Sequence, residues 1–269
     1  MATTDKTGVK RMIAELHGKI SGSGSNLSDR LEDKLTGDVF GALRYVPFHL
    51  GMAQILRAAN IDTLTQCVNQ TNLDFWGDRI QFWPYHEEGE MDAFIELDNA
   101  VISIEVKYMS GLSSDDEIEN ATTIVDVERE ESRNQLARES RMVSQWCPAH
   151  KKPFLIFIAY ESECATICNN VKSRSILAPG VELGYVSWQE VLKQLSEVEA
   201  VVPYQKLILA DLIALLKRKG FERFNGFDLG NDATISQDEY YCYGQVKVKN
   251  AIHFDYPEIV TGGSFYEYR

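Results

Sequence analysis

Three charged residues interrupt an otherwise apolar part of the stretch EMDAFIELDNAVISIEVKYMSG, residues 90–111. The alternation of its side chains predicts two β-strands joined by a tight turn at the Asp-Asn dipeptide. Asp92 lies near the start of the first strand, and Glu105 and Lys107 lie in the second. Side chains two residues apart share a face of a strand, so Glu105 and Lys107 point the same way. Counting from the turn pairs Asp92 with about Glu105.

Paired side chains on one face of a hairpin have Cβ atoms about 4.5–5.5 Å apart. Two carboxylates at that distance repel each other unless a proton or a cation lies between them. Hard oxygen ligands suit Mg²⁺ or Mn²⁺, so Asp92 and Glu105 are predicted metal ligands. Lys107 would then position a metal-activated water or stabilise a charged transition state. This chemistry predicts hydrolysis of a nucleic-acid backbone.

A Glu-x-Lys spacing alone also occurs on exposed strands, where it forms a weak ion pair. The apolar residues on both sides of Glu105 and Lys107 favour a site over a solvated surface. We find no phosphate-binding glycine loop, no zinc-binding His-Glu-x-x-His pair and no Gly-x-Ser-x-Gly nucleophile elbow. The hairpin acids are therefore the strongest chemical signal in the chain.

Elements on both sides of the hairpin are predicted to position these residues. An apolar spacing of three to four residues predicts helices, and short apolar runs predict strands. The almost unbroken apolar run PFLIFIAY predicts a central strand covered on both faces. The order indicates an α/β fold with a mixed central sheet flanked by helices. The predicted elements are a helix near 28–46, a second helix after Pro47 that runs to about residue 59, strands near 79–85, 90–97 and 100–108, a helix near 127–146, strands at 153–160 and in ELGYVSW, and helices near 188–198 and 204–219.

The combination of Asp92, Glu105, Lys107 and this element order resembles the PD-(D/E)xK nuclease superfamily. That resemblance covers about residues 28–190 and implies a restriction-endonuclease-like αβββαβ core with a C-terminal extension. The proline of the superfamily name is absent, because Met91 precedes Asp92. The residue type at this position varies within the superfamily.

The resemblance also implies roles for residues outside the hairpin. An acid of the first helix joins the metal ligands in many members; Glu32 is the candidate here, with Asp33 and Asp38 as alternatives. In the second helix, Gln135 is expected to orient water or a phosphate, and Arg138 to contact the substrate backbone. Each of these side chains has an alternative interpretation as an ordinary helix-surface group.

Composition limits the remaining possibilities. The 269-residue chain carries a net charge of -13, which argues against a uniformly nucleic-acid-binding surface but leaves room for a local basic cleft. Five scattered cysteines argue against a disulfide framework and favour a reducing cytoplasm. Cys164 and Cys168 are expected to be buried thiols. No apolar run is long enough to span a bilayer, and the first residues show no secretory signal.

The sequence suggests three parts: a flexible segment at 1–26 ending in SGSGSN, a nuclease-like core at 27–200, and a C-terminal helix with an irregular extension at 201–269. The leading hypothesis is a Mg²⁺-dependent endonuclease that acts on DNA. As the resemblance implies, it would be the effector of a microbial restriction or anti-phage defence system. We expect a homo-oligomer, with a sensor or ATPase, if one is needed, on a separate subunit.

Two alternatives remain open at this point. One is a catalytically silent subunit that keeps the nuclease fold and binds a protein partner, as its acidity would allow. The other is a phosphodiesterase acting on RNA or a nucleotide, which the same residues would serve equally well.

Overall fold

A mixed five-stranded sheet forms the centre of the computed structural model, which describes residues 31–116 and 131–223. The strands are β1 Ile80–Phe82, β2 Tyr85–His86, β3 Gly89–Glu90, β4 Ala93–Glu96, β5 Ala100–Val106, β6 Lys152–Ala159 and β7 Glu182–Ser187. Their order in the sheet is β1-β4-β5-β6-β7. β1, β4 and β5 are antiparallel neighbours, whereas β5, β6 and β7 run parallel. A separate two-stranded hairpin, β2 and β3, lies along the chain between β1 and β4.

Helices cover both faces of this sheet. They are α1 Leu31–Leu43, α2 Met52–Arg57, α3 Asp62–Gln70, α4 Gln135–Trp146, α5 Glu161–Ser173, α6 Trp188–Ser196 and α7 Pro203–Arg218, with a short 3-10 turn at Phe48–Leu50. On one face α1, α2, α3, α6 and α7 enclose a large core with the even-numbered residues of β5. On the other face α4 and α5 enclose a second core against the odd-numbered positions.

The predicted α/β architecture, with a mixed sheet flanked by helices, is confirmed. The central strand β6 is buried on both faces from Phe154 to Ala159, as its apolar run indicated. The strand predicted at 79–85 is divided, since Trp83 has a φ of 48° and interrupts the extended backbone between β1 and β2.

The helix predicted at 127–146 begins later than expected, at Gln135. Asn134 caps it, because its side chain accepts hydrogen bonds from the backbone N–H groups of Leu136 and Ala137. Ser132 and Arg133 are instead bound to Asp116, on the far side of residues 117–130 in sequence. Residues 127–130 of the prediction lie outside the described residues, as do the segment 1–26 and the tail from 224.

Two helices were not predicted, α3 and α5. In α5 the buried positions are Cys164, Cys168 and Val171, at spacings of four and three residues. The cysteine pair is thus part of a helical apolar stripe. Both thiols are buried, as predicted, and burial raises the pKa of Cys164 to about 11.

The last helix, α7, belongs to the main core. Leu209, Leu212 and Leu216 pack in the same cluster as the sheet, and Phe221 follows them there. Gly220, with a φ of 81°, ends the helix where the sequence predicted its stop. The compact unit that contains the sheet therefore includes α7 and ends at Arg223.

Strand β7 packs closely against residues 59–61, just before α3, and this contact requires a glycine at position 184. A Cβ on Gly184 would lie 2.6 Å from Ile61 Cδ1 and 3.2 Å from the Ala59 carbonyl oxygen. We expect Gly184→Ala to lower the free energy of unfolding by about 1–3 kcal/mol, because buried atoms on both sides must move. Urea denaturation followed by tryptophan fluorescence measures this change.

Gly111→Ala is the matched control, because a Cβ there meets no atom within 4 Å. Equal urea midpoints for the two variants would contradict the close packing of β7.

None of the helices within residues 31–116 and 131–223 is both long enough and apolar enough to cross a bilayer.

Candidate functional site

The hairpin charges meet at the carboxyl end of β5. β4 and β5 pair with Ala93 opposite Ile104, and one further step of this register places Asp92 opposite Glu105. The sequence predicted this pairing. The carboxyl ends of parallel strands are a common place for ligands in α/β sheets, and β5 is the first of three such strands here.

Lys107 lies between two carboxylates. Its Nζ is 2.5 Å from Glu105 Oε1 and 3.0 Å from Glu32 Oε1. All three side chains are largely withdrawn from solvent; Glu32 is the most exposed, at 24%. Removing one partner of an ion pair this well buried is far more destabilising than removing one partner of an exposed pair. The interpretation of Glu105 and Lys107 as a solvated surface pair does not hold.

Asp92 closes the hairpin from the opposite strand. Its Oδ2 accepts a hydrogen bond of 2.7 Å from the Val106 backbone N–H, at the point where the β4–β5 ladder ends. The side chain is buried, with 8% exposure. One carboxylate oxygen is thereby fixed by the backbone, and Oδ1 accepts no hydrogen bond from the residues that the structure describes.

Glu32 is the acid that the first helix contributes. Besides Lys107, it binds the segment after β5: Oε2 accepts from the Tyr108 backbone N–H at 3.0 Å and from Ser110 Oγ at 2.5 Å. The alternative Asp38 instead pairs with Lys34 one turn away. Of the three acids named from the sequence, only Glu32 joins the group with Asp92 and Glu105.

The second helix brings Gln135 to the same place. Gln135 Nε2 donates to Glu105 Oε1 at 2.5 Å and to Glu139 Oε1 at 3.1 Å. Its own carbonyl oxygen accepts from the Ser113 backbone N–H, which fixes the amide orientation. The predicted Arg138 does not reach the carboxylates. It donates to the Glu88 carbonyl oxygen and to Ser114 Oγ.

Glu139 is a site residue that the sequence did not indicate. It is only 2% exposed, and Gln135 Nε2 donates to both Glu139 and Glu105, which places the two glutamates side by side. In the sequence it lies four residues after Gln135, where an acid is normally a solvated helix charge. The spacing from Gln135 was the one available signal, since residues four apart share a helix face.

Burial governs the ionisation of this cluster. Desolvation, and then the charge of Glu105, raise the pKa of Asp92 well above its usual range. Desolvation, and then the charge of Glu139, do the same to the pKa of Glu105. Desolvation alone would lower the pKa of Lys107, but its contacts with Glu105 and Glu32 outweigh that effect and raise it. The ammonium stays charged and offsets part of the acidic excess.

The carboxylates of Glu32, Asp92 and Glu105 can hold a metal ion. One oxygen from each lies within 4.8 Å of the other two. Oxygen ligands of this kind suit Mg²⁺, which is usually bound by one or two carboxylates and completes its shell with water or phosphate oxygens. A single ammonium cannot neutralise so many buried carboxylates, so the donor set fits a divalent cation.

Comparisons of this chain with protein-family models, with curated proteins and with solved structures gave no match. The geometry of the site is therefore the basis on which a function is assigned.

The raised pKa of Glu139 is expected to make the stability of the folded protein depend on pH. Burial raises its pKa to about 7, above that of an unfolded chain, so the folded protein binds more protons between about pH 4.5 and 7. The corresponding stabilisation is complete below the unfolded pKa and is lost as pH rises through 7. We expect urea denaturation in chelator to show that Glu139→Gln flattens this decline, by on the order of 2–3 kcal/mol between pH 5 and 8.

Glu163→Gln is the control for this measurement, because Glu163 is an exposed glutamate on α5. It should leave the decline unchanged. An equal decline in wild type and Glu139→Gln would show that Glu139 does not ionise in this range.

Proposed function

We propose that this protein is a Mg²⁺-dependent nuclease of the PD-(D/E)xK type, most simply one that hydrolyses DNA. The observation that carries the proposal is the convergence of Glu32, Asp92 and Glu105, with Lys107 held beside two of them. Glu32 comes from a helix that is distant in sequence from the hairpin that carries Asp92, Glu105 and Lys107. A purely structural ion pair would need only one acid for one lysine.

Each residue has a distinct task in this proposal. Glu32, Asp92 and Glu105 hold the cation, which would lower the pKa of a bound water and offset charge on the phosphodiester. Lys107 lies next to Glu105, where its ammonium can orient the attacking water or stabilise the extra negative charge of the transition state. Gln135 fixes the carboxylate of Glu105 through its amide.

The order of elements supports the family assignment. A helix, α1, supplies Glu32; an antiparallel meander supplies Asp92, Glu105 and Lys107; the next helix, α4, supplies Gln135; and β6 completes the core. With α2, α3 and the β2–β3 hairpin taken as insertions, this order supports the proposal of an αβββαβ core. The proposal includes a role in microbial restriction or anti-phage defence, with a separate sensor or ATPase subunit.

Cutting both strands of DNA requires two active sites or two binding events, so we propose a homo-oligomer. Size-exclusion chromatography with light scattering tests this part. A monomer at every concentration would count against it.

Cleavage of supercoiled plasmid in Mg²⁺ or Mn²⁺ tests the reaction itself. Nicking or linearisation that stops in chelator is the expected result. Parallel reactions with single-stranded DNA and with RNA distinguish a DNase from an RNA phosphodiesterase. A folded, cation-binding protein that cleaves none of the three would argue for the silent-subunit alternative.

A further inference from the structure

Lys219, the C-cap residue of α7, carries a half-buried ammonium that has no acidic partner among the residues that the structure describes. The charge of Asp38 acts on it, but Asp38 is itself paired with Lys34. Glu222, three residues further along the chain, is paired with Lys217. A cation withdrawn from water without a counter-charge is unfavourable, so an anion from outside the chain would stabilise it.

The charges around Lys219 are mostly positive. Burial lowers the pKa of its ammonium, and the charges of Lys34 and Arg218 lower that pKa further. Arg218 is exposed and likewise forms no ion pair with a described residue. Although the whole chain has a net charge of -13, this corner of the protein brings three cations together with one acid, Asp38. Such a local basic surface is what a phosphate group binds.

An aromatic ring holds this ammonium beside the carboxylate site. Lys219 Nζ lies 4.7 Å from the centroid of the Tyr108 ring, within the range of a cation–π contact. Tyr108 directly follows Lys107, and its backbone N–H donates to Glu32 Oε2 at 3.0 Å. Its ring is stacked in turn on that of Tyr160, with the two centroids 6.3 Å apart. A single residue, Tyr108, thus joins the carboxylate site to Lys219.

This basic group lies outside the part of the chain, about residues 28–190, that resembles the nuclease superfamily. The helix that carries it, α7, nevertheless packs on α1, which supplies Glu32. Cations in the last turn of a helix also suit the negative end of its dipole. That effect accounts for basic residues there, but it does not account for an ammonium withdrawn from water onto an aromatic ring next to the carboxylates.

We propose that Lys219, supported by the charges of Lys34 and Arg218, binds a backbone phosphate of the nucleic-acid strand whose scissile phosphodiester lies at the carboxylates. Ammonium and guanidinium groups bind phosphate through charge-assisted hydrogen bonds, without regard to base sequence. Tyr108 is a positioning residue here, since its ring holds the ammonium and its backbone is bound to Glu32. The inference rests on the proposed function, because it names the surface along which that substrate lies.

Fluorescence anisotropy of labelled duplex DNA, single-stranded DNA and RNA, in chelator so that no strand is cut, tests this contact. Lys219→Gln should weaken binding at low salt by at least about tenfold, as expected for loss of a hydrogen bond between charged groups. The slope of log affinity against log salt concentration should also become shallower, by about 0.9 for duplex DNA and about 0.7 for a single strand, because one fewer counterion is released. Lys219→Arg keeps the charge and should restore both.

Lys217→Gln is the matched control. It removes the same charge two residues earlier, from a lysine that is half exposed and paired with Glu222. It should leave the affinity and the salt slope unchanged. Circular dichroism of each variant confirms folding, and a purely structural role of Lys219 would alter stability without altering the salt slope.

Wild-type affinity and salt slope in Lys219→Gln would overturn the inference, and so would equal losses in Lys217→Gln and Lys219→Gln. Wild type that binds none of the three nucleic acids would overturn it as well. The nuclease itself is judged separately, by cleavage of plasmid in Mg²⁺. A protein that binds DNA through Lys219 but cleaves none would support the contact and contradict the nuclease, whereas plasmid cleavage with an unchanged KM in Lys219→Gln would do the reverse.

Discussion

Replacing Asp92 by asparagine is expected to abolish metal-dependent cleavage and, at the same time, to make the metal-free protein more stable. The carboxylate is buried and close to Glu105, and both circumstances disfavour its charge. Asparagine keeps an oxygen that can accept the Val106 N–H, so the end of the hairpin stays closed. The substitution therefore removes an unfavourable charge without removing the hydrogen bond.

In Asp92→Asn, the expected loss of cleavage is much larger than the expected gain in stability. Removing a partner of a metal ligand lowers affinity or activity by about 10–100-fold, so loss of a ligand itself should lower cleavage by at least about 100-fold. The gain in free energy of unfolding should be about 1–2 kcal/mol, as for other stabilising changes at strained sites. Plasmid cleavage in Mg²⁺ and urea denaturation in chelator at pH 8 measure the two effects.

Asp98→Asn is the matched control for this experiment. Asp98 lies at the tip of the same hairpin, with 78% of its side chain exposed, and it pairs with Arg79. Loss of that exposed pair should change stability by about 0.2–1 kcal/mol and leave cleavage intact. An Asp92→Asn protein that cleaves normally, or that is less stable than wild type, would contradict the role given to Asp92.

Replacing Lys107 by methionine is expected to reduce cleavage while strengthening cation binding. Loss of a group that acts on the attacking water or the transition state typically lowers the rate by about 10²–10⁴-fold. The ammonium lies within 3.0 Å of two of the carboxylates that would hold the cation, so it also repels that cation. Charges about 4 Å apart near a protein surface interact by roughly 4 kcal/mol, so a tenfold gain in Mn²⁺ affinity is a modest expectation.

The substitution Lys107→Met should also lower the free energy of unfolding, because the buried carboxylates lose their positive partner. Removing one partner of a buried ion pair costs about 3–5 kcal/mol, because Glu105 and Glu32 lose their cation. Added Mg²⁺ should recover part of this loss, because it supplies the missing positive charge. Calorimetric titration and urea denaturation with and without Mg²⁺ measure both changes.

The matched control is Lys151→Met. The side chain of Lys151 is also largely covered, at 8% exposure, but it pairs with Glu96 away from the cluster. It should leave Mn²⁺ affinity and cleavage unchanged. Weaker Mn²⁺ binding in Lys107→Met would show that the lysine supports the carboxylates and does not compete with the cation.

Local patterns predicted the hairpin and its register well. The turn between β4 and β5 is short, so counting outward from it fixes which residues face each other, and Asp92 opposite Glu105 follows. The apolar run of β6 was equally informative, since burial on both faces leaves few other interpretations. These features depend on neighbours in sequence, which a pattern can show.

Tertiary packing decided what the sequence left open. Glu32, Asp33 and Asp38 all lie on α1, and only the rotation of that helix over the sheet selects Glu32. Glu139 resembled a surface charge because nothing in its own helix shows that α4 packs against the acidic end of β5. The helix α5 has only three buried positions, and two of them are cysteines, so its apolar stripe is weak in the sequence.

The anomalous scattering of Mn²⁺ in crystals of the wild-type protein tests the cation centre most directly. We predict a peak within coordination distance of Glu32, Asp92 and Glu105, and loss of that peak in Asp92→Asn. A peak elsewhere, or no peak at these carboxylates in millimolar Mn²⁺, would contradict the proposal that the charged hairpin holds a divalent cation.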